Sequence, residues 1–131
     1  MIGLDTNVLV RYIVHDDAAQ AAAATRLIEA CSEESPGFVS QLVIAELFWV
    51  LSRGYEYEKP VICQVISKML SSAELEVEAA PDVWLALRAY ESGSTDFADY
   101  LIGRKSLLAG CATTFTFDKA AAKSGFHTLV P

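Results

Sequence analysis

Short apolar segments alternate with longer helical patterns along the whole chain, and most of the short segments end on a polar or acidic residue. Residues 1–4 run directly into Asp5-Thr6-Asn7, and Val8, Leu9 and Val10 then restore the apolar pattern. That pattern predicts a strand with a polar triplet at its carboxyl end, where ligands of open α/β sheets bind. A short helical turn carrying Leu9, Tyr12 and Ile13 follows, and Asp16-Asp17 opens an alanine-dominated helix over 18–31. Pro36 and Gly37 punctuate a turn, Phe38-Val39-Ser40 is a very short strand, and a helix runs over 41–53. Further helices are expected over 59–70, 82–92, 97–108 and 119–124, with strands over 75–77, 111–115 and 126–129. Strands alternating with helices predict a parallel sheet covered on both faces, a three-layer α/β/α sandwich.

The helix over 41–53 is apolar almost all round, so most of its circumference is expected to be covered. Glu46 interrupts it. A carboxylate there must face a polar cleft, a cation or an arginine, with Arg11, Arg53 and Arg104 the available partners. Asp5 and Asp118 fall at the carboxyl ends of predicted strands, and Asp96 and Asp99 in the first turn of a helix. Each position is compatible with one end of the sheet, so folding could gather four or five carboxylates. Each also has a plainer reading. Asp5, Asn7 and Asp118 suit helix caps, and Asp96 with Asp99 suits a capping box.

Two carboxylates about 4 Å apart repel by roughly 4 kcal/mol at an effective dielectric of about 20. A cluster is therefore stable near neutral pH only with shared protons or bound cations. Oxygen donors without histidine or cysteine point to Mg²⁺ or Mn²⁺. The chemistry that suits such a site is phosphodiester hydrolysis by metal-activated water. Thr6, Asn7 and Thr116 are candidates for orienting the acids. No Ser/His/Asp or Cys/His arrangement and no glycine-rich phosphate loop is present.

Composition narrows the setting. A chain of 131 residues, 53% apolar, is long enough for one domain with its own core. The net charge of −7 argues against a general nucleic-acid-coating surface but not against a nuclease, whose clustered acids are neutralised by cations. Cys31, Cys63 and Cys111 are expected to be reduced core residues. No basic-led apolar leader opens the chain and no apolar run is long enough to span a bilayer, so a cytoplasmic protein is expected.

Asp5-Thr6-Asn7-Val8-Leu9, the mid-helix Glu46 after Ser40, the run from Asp96 to Ile102, and Thr114-Phe115-Thr116-Phe117-Asp118 together resemble the successive motifs of PIN domains. The similarity is greatest to the VapC-like toxins and covers essentially all of 1–131 as a single domain. The resemblance implies a PIN fold with Asp5, Glu46, Asp99 and Asp118 as the acidic quartet and Asp96 as an additional acid. It implies an Mg²⁺- or Mn²⁺-dependent endoribonuclease that leaves a 5′-phosphate and a 3′-hydroxyl. It also implies a homodimer inhibited by a cognate antitoxin whose peptide tail covers the cleft. Asp5 is then the central metal ligand, Glu46 and Asp99 direct or water-mediated ligands, and Asp118 a weaker ligand or part of a second site. Arg11, Arg104, Lys105, Lys119 and Lys123, just beyond acidic motifs, are candidate RNA-backbone contacts or simply solvated charges, and Phe97 and Tyr100 candidate stacking residues, with core packing the plainer role for Phe97. The competing expectation is a catalytically silent module of the same fold that binds protein or RNA. Receiver-like and haloacid-type phosphatase readings fit poorly, because an acidic pair after the first strand, or Asp-x-Asp, is missing.

Overall fold

A computed structural model describes residues 1–131. It comprises two compact units, Met1–Ala80 and Pro81–Pro131. The architecture is mixed α/β with parallel strands in both units.

In the first unit β1 (Ile2–Gly3), β2 (Gly37–Val39) and β3 (Leu75–Val77) form a parallel sheet in that order. The register pairs Gly3 with Phe38 and Val39 with Val77. Gly37 sits where side chains close in: a Cβ there would lie 2.7 Å from Leu4 Cδ1 and 3.3 Å from Cys31 Sγ, so those side chains would have to shift. Four helices complete the unit: α1 (Thr6–Val14), α2 (Ala18–Glu29), α3 (Gln41–Trp49) and α4 (Lys59–Ser71). α1 packs on both α2 and α3. Leu9, Val39, Ile44, Leu47, Leu51, Ile62 and Ile66 are buried to 1% exposure or less and form the core.

Three helix starts in this unit follow from a side-chain cap. Asp17 accepts from the Gln20 amide at 3.0 Å and Ser40 from the Val43 amide at 3.2 Å. Asp5 plays the same part for α1, accepting from the Thr6 amide at 2.8 Å. With that cap the first helix extends to nine residues, longer than the short turn expected. His15 ends it in the left-handed conformation at φ 59°.

The expected 41–53 helix is instead α3 followed by a π-helical turn, Val50–Gly54, in which the Tyr55 amide bonds to the Val50 carbonyl at 3.1 Å. Nor is α3 covered all round. Leu42 is 71% exposed and Trp49 62%, and Glu46 between them is exposed as well. A helix apolar on every side gives no sequence signal for which face turns inward, and here the stripe holding residues 42, 46 and 49 faces out.

The second unit holds α5 (Ala80–Ser92), α6 (Phe97–Leu108), β4 (Thr114–Thr116), α7 (Lys119–Ala122) and β5 (His127–Leu129). β4 and β5 pair in parallel, Thr114 opposite His127 and Thr116 opposite Leu129. β4 begins three residues later than expected because residues 109–111 still leave α6: the Cys111 amide bonds to the Ser106 carbonyl, and Gly110 has φ 96°. Cys111 is accordingly exposed, whereas Cys31 and Cys63 are buried. Phe97 and Tyr100 are 2% and 4% exposed, so both are packing residues and neither presents a ring for stacking.

Candidate active site

Thr6 ties the first two acids together. Its backbone amide donates to Asp5 Oδ1 at 2.8 Å, and its hydroxyl donates to Glu46 Oε2 at 2.6 Å. Thr6 itself is 7% exposed while both carboxylates are exposed, so a buried residue fixes two acids that remain open to solvent. Asp5, Thr6, Asn7, Val10, Arg11, Glu46, Val50 and Tyr55 line a depression of about 350 Å³. The expected contact between Glu46 and a polar cleft is therefore present, and the hydroxyl of Thr6 is its hydrogen-bond donor.

Arg11 forms the cationic wall of the depression. Its Nε donates to Gln20 Oε1 at 2.6 Å, and Nη1 lies 3.1 Å from Asp16 Oδ1 and 3.3 Å from the Tyr55 hydroxyl. The Tyr55 hydroxyl in turn donates to Asp16 Oδ2 at 2.7 Å. These bonds favour the charged form of both groups. The Tyr55 hydrogen bond, then the Arg11 charge, hold the Asp16 carboxyl below its ordinary value against partial desolvation. The Arg11 guanidinium is held more firmly protonated, chiefly by its bond to Tyr55.

The other acids belong to the second unit. Asp96 is the residue before α6 but makes no side-chain cap bond. Asp99, in the first turn, accepts from the Thr95 hydroxyl, so the reciprocal capping box is replaced by a threonine–aspartate bond. Asp118 accepts from the amides of Ala120 at 2.8 Å and Ala121 at 3.2 Å, a full cap of α7. Thr116 Oγ1 accepts from the Asp118 amide at 3.0 Å and so steadies that corner. Neither unit by itself holds three acidic, histidine or cysteine side chains placed to grip one ion.

Among the expected RNA-backbone cations, Arg104 is committed to Asp82, with Nε 3.0 Å from Oδ1. Lys105, Lys119 and Lys123 are exposed. Of the histidines, His127 is buried with Nδ1 3.1 Å from the Ser124 hydroxyl, and His15 is exposed. Tyr55, Asp16 and Gln20 escape a reading of the sequence. The residues bonded to Arg11 lie as many as 44 positions away, and no local pattern announces a tie across a π-helical turn. A larger cavity in the first unit, about 780 Å³, is lined by Leu9, Tyr12, Ile28 and Met69 among others, and by neither Asp5 nor Glu46. Chemistry, not size, selects the smaller depression as the site.

A model of the PIN domain matches residues 2–126. The chain belongs to the PIN domain family. It is also 27% identical over 128 residues to the VapC ribonuclease of Aquifex aeolicus (strain VF5), an alignment that covers 98% of this chain and 95% of that protein. The PIN match starts at the first strand, runs past Asp118, and includes all five acids singled out above.

Proposed function

We propose that this PIN domain protein is an Mg²⁺- or Mn²⁺-dependent endoribonuclease that hydrolyses RNA phosphodiester bonds and leaves a 5′-phosphate and a 3′-hydroxyl. The observation that carries the proposal is the pair of exposed carboxylates, Asp5 and Glu46, tied through Thr6 beside one depression. Similarity to a VapC ribonuclease along nearly the whole chain supports the same reading.

The residues fit a hard divalent cation. Asp5 uses Oδ1 for the Thr6 amide and Glu46 uses Oε2 for the Thr6 hydroxyl, so each keeps its second oxygen for an ion. On this reading Asp99 and Asp118 complete the donor set, and Asp96 is an additional acid. A bound divalent ion supplies a water of lowered pKa and offsets negative charge on the phosphodiester. Thr6 and Thr116 hold the acids in place, and Arg11 offers a guanidinium to the RNA backbone. Lys105, Lys119, Lys123 and, less readily, Arg104 are further backbone contacts.

The biological setting that goes with this activity is the toxin of a toxin–antitoxin pair, acting in the cytoplasm as a homodimer and inhibited by a small antitoxin protein. Residues 1–131 then act as a single PIN domain, and no helix is long and apolar enough to cross a membrane. The alternative is a catalytically silent binding module, favoured by the exposed Leu42 and Trp49 on α3. Incubating total cellular RNA with the protein in Mg²⁺, Mn²⁺ or chelator, and mapping new 5′ ends, separates the two. Metal-dependent cuts that vanish in the double variant Asp5→Asn/Asp99→Asn are expected; cleavage indifferent to both changes rules the proposed mechanism out.

A further inference from the structure

The geometry points to a nucleotide subsite beside the acid pair, in which the Tyr55 ring stacks on an unpaired RNA base and the Arg11 guanidinium meets the adjoining phosphate. This deepens the nuclease reading and rests on it. Both side chains line the same depression as Asp5 and Glu46. Neither is a loose surface group. Arg11 is held by Gln20 and Asp16, and the Tyr55 hydroxyl is shared between Asp16 and Arg11, so the ring and the guanidinium are fixed relative to one another.

A tyrosine anchored through its hydroxyl has already lost its freedom, so stacking a base on the ring costs little further entropy. Tyr55 keeps part of its surface open, being only half-buried. The π-helical turn places it there, and such widened turns recur at functional sites. Arg11 supplies what a chain of net charge −7 otherwise lacks at this point, a planar cation matched to phosphate oxygens. Stacking on an isolated ring requires a base that is not already stacked in a duplex, so the class of ligand is single-stranded RNA.

The test uses a fluorescein-labelled adenosine dodecamer and the full chain in chelator, with affinity read by anisotropy. Tyr55→Phe and Tyr55→Leu both remove the hydroxyl, so they disturb the hydrogen-bonded tie equally and differ in the π face. Tyr55→Phe is expected to bind more weakly than the wild-type chain, because the anchoring bond is lost, and Tyr55→Leu to bind roughly tenfold more weakly than Tyr55→Phe. Arg11→Gln is expected to make the slope of log affinity against log salt shallower by about 0.7, the signature of one lost phosphate contact on a single strand. Equal affinities for the phenylalanine and leucine variants overturn the subsite, as does an unchanged salt slope in Arg11→Gln or no binding by the wild-type chain. Cleavage of the same oligonucleotide with Mn²⁺ is scored separately. Its absence counts against the nuclease reading, while the phenylalanine–leucine comparison still judges the stacking.

Discussion

The Thr6 hydroxyl donates to Glu46 Oε2 at 2.6 Å across 40 positions of sequence, joining the first residue of α1 to the middle of α3. Because the backbone amide of the same residue holds Asp5, one residue ties the two acids together. Thr6→Val keeps the volume and removes the hydroxyl. It is expected to cost about 1 kcal/mol in urea unfolding, since the exposed Glu46 can turn to water instead. Metal-dependent cleavage should fall by a much larger factor, and Thr6→Ser should restore most of it. A valine variant that unfolds earlier but cleaves normally limits Thr6 to stability.

Trp49 lies three residues beyond Glu46 and is 62% exposed, so its fluorescence reports on the acid pair from close by. Titration with Mg²⁺ or Mn²⁺ should change the emission saturably, and Asp5→Asn or Glu46→Gln should flatten the response. A flat titration of the wild-type chain counts against a cation at this pair.

Asp118 caps α7 through two amides, so its substitutions separate structure from chemistry. Asp118→Ala removes the cap and should cost about 0.5–2 kcal/mol. Asp118→Asn keeps an oxygen acceptor at the cap and removes the charge. It should therefore unfold close to wild type in urea yet lose metal-dependent cleavage. Normal cleavage in the asparagine variant confines Asp118 to capping.

The Asp16 carboxyl is held below its ordinary value, first by the Tyr55 hydroxyl and then by Arg11. A group whose pKa is lower folded than unfolded stabilises the fold above its unfolded pKa. That contribution is lost as pH falls through the folded value. The tie should thus be whole at neutral pH and open in acid below the usual carboxylate range. Carboxyl NMR titration of Tyr55→Phe should show the Asp16 pKa moving up towards its ordinary value. An unmoved midpoint means that the Tyr55 bond does not control it.

Gly103 sits within α6, where alanine would ordinarily gain up to about 1 kcal/mol of helix propensity. A Cβ there would lie 2.5 Å from Phe126 Cβ and 2.9 Å from His127 Cε1. The collision outweighs the propensity, so Gly103→Ala should lower stability by about 1–3 kcal/mol in urea unfolding. A more stable variant would show that the segment preceding β5 yields easily.

What the sequence revealed and what it concealed follow one rule. Signals confined to a few neighbouring residues were legible: 97–108 and 75–77 take their expected boundaries, and Asp5 and Asp118 occupy the strand-end corners inferred for them. The outward face of α3 was not legible, because Leu42 and Trp49 are no less apolar than the buried Ile44 and Leu47. Nor was the bonding of Arg11. A basic residue near an acidic motif suggested contact with RNA, but its ties to Gln20, Asp16 and Tyr55 depend on the packing of α1 against α2 and α3. The short motifs around Asp5, Glu46, Asp99 and Asp118 are each weak alone, and all of them fall within residues 2–126, the span of the PIN match.

The wide turn at Val50–Gly54 makes the aim of Tyr55 a matter of winding. Had the chain kept α-helical pitch, the Tyr55 amide would have bonded to Leu51 in place of Val50, and the ring would project in another direction, different by up to about a quarter turn. The reach of the Tyr55 hydroxyl to Asp16 thus rests on backbone winding as much as on the side chain itself.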